Sequence, residues 1–88
     1  MKWYYFTFRS VTAAQRGEGI LRKMGVACRL LRTPRWMETK GCGYCLRVRQ
    51  RDWEASREAL TQHEAAFSGI YLQEEDGGVK EVRRDLPG

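Results

Sequence analysis

The hydrophobic period of this chain alternates between two residues and about 3.6 residues, and the order of the changes leaves few folds open. Trp3-Tyr4-Tyr5-Phe6-Thr7-Phe8 is aromatic and β-branched and has no helix cap before it, so it is expected to be a strand with Tyr4, Phe6 and Phe8 on one face. Ser10 is a good N-cap, and Ala14, Gly17, Leu21 and Met24 then recur at helical spacing. Arg22 and Lys23 suit the negative end of the dipole and Gly25 can end the helix, which is therefore expected over 11–24. Val26, Cys28 and Leu30 alternate with Ala27, Arg29 and Leu31 as a second strand, with Cys28 pointing inward. Pro34 stops further pairing, so 33–43 is expected to be a loop with a short helical turn around Trp36, Met37 and Glu38. A third strand begins at Tyr44, with Tyr44, Leu46 and Val48 on one face and Cys45, Arg47 and Arg49 on its polar side.

Asp52 is a candidate cap for a second helix ending near Ala66, with Trp53, Ser56, Ala59, Leu60 and His63 as its inner face. Ser68 to Gln73 is expected to be a fourth strand centred on Ile70 and Leu72. Glu74-Glu75-Asp76-Gly77-Gly78 is a turn, after which 79–84 forms a short hairpin partner or an ordered tail. The order βαββαβ predicts an α+β, ferredoxin-like sandwich: a four-stranded antiparallel sheet, two helices on one face, and a possible extra C-terminal strand. The other face is expected to be open and to carry Trp3, Tyr5, Arg29, Cys45, Arg47 and Arg49. The domain is placed at 1–73, with an acidic turn and tail at 74–88.

At 88 residues the chain is large enough for one core and too small for a second lobe. No stretch approaches the roughly 20 apolar residues of a membrane span, and the start lacks signal-peptide features. The expectation is a cytosolic protein without a membrane partner, whose three cysteines stay reduced. Residues 1–51 hold 12 Lys/Arg against 2 acids and residues 52–88 hold 4 against 9. The division points to an anionic ligand or partner for the basic part, or to simple solvation of exposed strands.

Cys42-Gly43-Tyr44-Cys45 is where chemically suggestive residues converge, since Arg35, Lys40, Arg47 and Arg49 flank the pair and cations stabilise a thiolate. Cys42, between Gly41 and Gly43 in an exposed loop, is a candidate nucleophile or an incidental surface thiol. Cys45 is a small residue on the open face and needs no chemical role. A thioredoxin-type centre would place the first cysteine at a helix N-terminus, whereas a strand follows here. Zinc wants four ligands, and an inward Cys28 and a distant His63 do not supply them. Thr33, Pro34 and Arg35 can hold an anion or steer an acidic partner, or Pro34 simply fixes the loop. Trp36 and Met37 either cover the edge of the core or offer a docking contact.

Tyr4 to Phe8 followed by Ser10, then Gly25-Val26, Arg32-Thr33-Pro34-Arg35, and Cys42-Gly43 running into Leu46-Arg47 resemble the putative selenium/sulfur carrier protein-like family of small domains. The resemblance covers roughly residues 4 to 72 and departs from the family at Arg9 and Cys45, where proline and a small apolar residue are usual. It implies a carrier that holds the chalcogen on Cys42 as a persulfide or its selenium equivalent, between donor and acceptor proteins, with no turnover of its own and no cofactor. Cys45 adds a second thiol that would be able to discharge such a persulfide as a disulfide. The rival class is RNA or single-stranded nucleic-acid binding, with Trp3 and Tyr5 stacking on bases and Arg29, Arg47 and Arg49 on phosphates. Against it, Tyr44-Cys45-Leu46-Arg47-Val48 lacks the aromatic consensus of such modules on its third strand. A homodimer through the same face is the third alternative.

Overall fold

The computed structural model describes residues 2–37 and 41–82. The elements run β1 (Trp3–Phe8), α1 (Val11–Lys23), β2 (Cys28–Arg32), a 3₁₀ turn at Arg35–Met37, β3 (Tyr44–Arg49), a 3₁₀ turn at Gln50–Asp52, α2 (Trp53–Gln62), β4 (Gly69–Gln73) and β5 (Val79–Val82). The sheet order is β2-β3-β1-β4-β5 with every neighbouring pair antiparallel. The first four strands and two helices form the ferredoxin-like arrangement, and β5 extends it as an edge strand.

Local chemistry explains most boundaries. Ser10 caps α1 by accepting a hydrogen bond from the Ala13 N–H at 3.1 Å, and Ala14, Gly17 and Leu21 face the sheet. Gly25 leaves the helix at φ +80°, where an L side chain would be strained, while the Val26 N–H closes on the Leu21 carbonyl at 3.0 Å. Met24 therefore falls beyond the buried stripe and is 48% exposed. The second helix differs more from expectation. Asp52 makes no side-chain capping bond, because the chain already coils through the 3₁₀ turn before it. The helix ends at Gln62 rather than near Ala66: Glu64 takes φ 55°, and the Ala65 N–H reaches back to the Leu60 carbonyl at 2.9 Å. His63 thus sits at the helix end and is exposed, not near the core, and its carbonyl accepts from Arg16 Nη2 at 2.6 Å.

The principal core lies between the helices and one face of the sheet. Phe6, Phe8, Leu21, Leu46, Val48, Leu60 and Ile70 have no exposed surface, and each such side chain contributes about 1.5–3 kcal/mol relative to exposure. Val26, Cys28 and Leu30 pack against this cluster as the alternation requires. Tyr4 stacks on Trp53 at 4.7 Å with the rings 3° from parallel, and Phe67 meets Phe6 edge-on at 5.3 Å.

Gly17 sets how closely α1 approaches. A Cβ there would stand 3.0 Å from both Leu46 Cδ1 and Phe8 Cζ and 3.2 Å from Leu60 Cδ2, all on side chains with no room to yield. At Gly19, one turn-step away and exposed, a Cβ meets nothing within 4 Å. Denaturant titration should therefore show opposite signs: Gly17→Ala destabilises by about 1–2 kcal/mol, and Gly19→Ala stabilises by about 0.5–1 kcal/mol. Ser56 is fully buried on α2, and its Oγ has no hydrogen-bond partner among the described residues. Ser56→Ala should accordingly raise the unfolding free energy by about 1 kcal/mol in the same assay.

Candidate functional site

The sheet face away from the helices is not open as the strand pattern suggests. The loop between β2 and β3 is closed at its neck by the Thr33 N–H donating to the Gly43 carbonyl at 2.9 Å, which continues the ladder past the Arg32–Tyr44 pair. Beyond that neck the chain folds back over the sheet, and Met37, only 3% exposed, packs with Tyr5 and Cys45. Trp3, Leu31 and Tyr71 surround these three as partly buried neighbours. A second, smaller core results, built on the row Leu31–Cys45–Thr7–Gly69 and the adjacent row Arg29–Arg47–Tyr5–Tyr71–Glu81.

This loop corrects several expectations. Cys45 is on the predicted side of its strand but has no exposed surface, because Met37 lies over it. Tyr5 is 3% exposed and its hydroxyl donates to Gln73 Oε1 at 2.8 Å, so it has no ring face to offer a base. Cys42 is 6% exposed rather than displayed on an open loop. Its immediate neighbours remain outside: Gly41 at φ +75° and Gly43 are both exposed, and a Cβ on either would face open space. The Tyr71 hydroxyl, which donates to Glu81 Oε2 at 3.1 Å, is pushed up chiefly by burial, with Glu81 and, less, Cys42 adding to the shift.

The two thiols of the Cys-Gly-Tyr-Cys run are thus held differently. Burial pushes the Cys45 thiol up to about 11; the nearby Thr33 hydroxyl and the Arg47 guanidinium oppose only part of that shift. The Thr33 Oγ1 itself is buried without a partner of full hydrogen-bond geometry among the described residues. Cys28, half-buried against the principal core, is also shifted upward, chiefly by burial. All three cysteines are free.

The expected cationic surround is only partly assembled. Arg47 lies with its guanidinium 4.1 Å from the centre of the Trp3 ring and acts on Tyr5 and Cys45. Arg35, on the 3₁₀ turn, is exposed; Pro34 precedes it and its carbonyl accepts the Met37 N–H at 3.1 Å. Lys40 lies outside the described residues. Among the described residues no group of three or more His, Cys, Asp and Glu side chains is placed to hold a metal ion, and no helix is long and apolar enough to cross a membrane. The strand alternation missed Tyr71 and Glu81 as neighbours of the site. Their signal was available: Tyr71 alternates with Ile70 and Leu72, and the βαββαβ order puts β4 beside β1.

A model of the family described as Putative Se/S carrier protein-like matches residues 3–72, and the chain belongs to that family. No curated protein and no solved structure gives a significant match.

The raised value at Cys45 has a direct consequence. At pH 8 the native thiol should react with iodoacetamide at least about 100-fold more slowly than the same cysteine in denaturant, as followed by peptide mass mapping. Because the folded value lies above the ordinary 9.0, the stability this thiol contributes is complete below pH 9 and is lost as the pH rises through about 11.

Proposed function

We propose that the chain is a sulfur or selenium carrier in which Cys42 holds the chalcogen and delivers it to an acceptor protein. The Cys42 thiolate attacks the outer chalcogen of a donor persulfide or its selenium equivalent; the new bond forms as the donor thiolate leaves, so no external oxidant or reductant is consumed. The acceptor repeats the exchange on the outer atom and frees Cys42. The protein turns over no substrate of its own and needs no cofactor, and its partners are donor and acceptor proteins.

The observation that carries this reading is the situation of Cys42 within the span matched to the family. It is set between two exposed glycines without side chains to block an approaching partner, and its own surface is otherwise covered. Thr33, Pro34 and Arg35 define the loop that presents it, and Arg35 and Lys40 are proposed to orient an acidic partner. Arg47 acts one step removed, through the Trp3–Tyr5–Cys45 cluster. The burial of Cys45 also supports a stable carrier state, since a thiol raised to about 11 is a poor resolving nucleophile near neutral pH. The nucleic-acid alternative loses its platform, with Tyr5 buried and Arg47 stacked on Trp3. No specific observation favours a homodimer through this face, because its apolar members are already buried within the protomer.

Loading is tested by incubating the protein with a persulfide donor or with selenide plus a disulfide oxidant and measuring intact mass. Wild type and Cys45→Ser should each gain one sulfur or selenium atom and Cys42→Ser should gain none; equal loading of wild type and Cys42→Ser refutes the assignment.

A further inference from the structure

At one end of the second sheet face, Trp3, Arg29, Arg47 and Arg49 enclose a depression of about 140 Å³ together with the Ala27-Cys28 segment. We propose that this depression is a binding site for a phosphoryl oxyanion, distinct from the carrier thiol. Neither Cys42 nor Cys45 lines it, although Trp3 and Arg47 also border the Cys45 cluster.

Three observations converge on an anion. Arg29 and Arg47 stand directly opposite each other on β2 and β3, an arrangement that like charges disfavour, and Arg49 follows Arg47 on the same face. Among the described residues, none of the three has a carboxylate partner: the ion pairs present join Arg22 to Glu18 and Arg51 to Asp52. The Arg47 Nε is buried with no hydrogen-bond partner, while the cation is held in place over Trp3 at 4.1 Å. The Arg47 guanidinium also acts on the Tyr5 hydroxyl, but three guanidinium groups around one recess with no carboxylate among them are unfavourable when empty and complementary to an oxyanion when filled.

The shape argues for a small ligand over a nucleic-acid strand. The indole face that would stack on a base is taken by Arg47, and Tyr5 beyond it is closed off by Met37. What remains is a compact, guanidinium-lined recess that suits a phosphate or pyrophosphate group, including that of a nucleotide.

The test is a titration of the ¹⁵N-labelled protein with inorganic phosphate and with pyrophosphate against sodium chloride of equal ionic strength. Saturable shifts of the Trp3 indole N–H and the Arg47 Nε–H are expected, with half-saturation on the order of 1 mM or tighter. Arg29→Gln and Arg49→Gln, both at exposed positions, should each weaken binding about tenfold without altering Cys42 loading. Arg47→Gln should weaken it more, and the two exposed variants decide the matter if that protein is poorly folded. A nucleoside triphosphate arm is expected to compete with pyrophosphate for the same resonances. Shifts reproduced by chloride alone, or unaffected by the exposed variants, overturn the proposal. So does an oligonucleotide that binds far more tightly than pyrophosphate and is lost in Trp3→Ala, which would make the face a nucleic-acid interface.

Discussion

A sheet with both helices on one face must account for its other face, and here the β2–β3 loop does so by laying Met37 on Tyr5 and Cys45. A backbone bond from Thr33 to Gly43 narrows the neck of the loop, and beyond it Met37 lies against the sheet. Everything distinctive about the site follows from that cover. It removes Cys45 from solvent and suppresses its thiolate, and it withdraws Tyr5 from any stacking role. A loop that merely projected into solvent would have left two similar exposed thiols three positions apart. The observed loop buries Cys45 completely, and burial pushes its thiol up to about 11.

The same face divides along its length by polarity. Toward the loop end the row Leu31–Cys45–Thr7–Gly69 is small and apolar, which lets the loop settle closely. One row further on, arginines replace apolar residues on β2 and β3, and Arg47 lies over the Trp3 ring at 4.1 Å. Cation–π contact satisfies the face of a guanidinium, not its N–H edge, so the Arg47 Nε is left as a donor. The basic excess of the first 51 residues is therefore not spread evenly as a solvated coat. Part of it is gathered at one end of the face, where pairing register rather than composition puts the charges together.

The strand and helix order was legible because each period change coincides with a local stop: Ser10 and Gly25 around α1, Pro34 after β2, and the glycine turn before β5. The inward residues of the principal core follow from alternation, which is a property of the strand itself. What could not be read was any consequence of a loop crossing the sheet. Alternation assigned Cys45 and Tyr5 to the second face correctly, yet a strand pattern carries no information about what lies on top of that face. The end of α2 failed for a different reason: a non-glycine residue, Glu64, adopts the left-handed conformation that glycine usually marks. Cys42 was legible as a candidate from its neighbours, and its burial was not, because burial of a loop residue depends on where the loop docks.

A carrier faces two opposed physical demands, since its thiol must be reachable during exchange and the loaded chalcogen must be shielded between exchanges. Full exposure meets the first and invites reduction by any passing thiol; deep burial meets the second and, as Cys45 shows, raises the thiol until it no longer ionises near neutral pH. Cys42 is also buried but keeps a small exposed fraction, where Cys45 has none, and it is bounded by two exposed glycines. A side chain at either glycine would narrow the approach to it, and at Gly41 the left-handed backbone would resist the substitution as well. In the proposed carrier role, the pairing of a nearly covered cysteine with bare flanking backbone would let one small loop serve both demands. In that role the deeply buried second thiol would not consume the cargo.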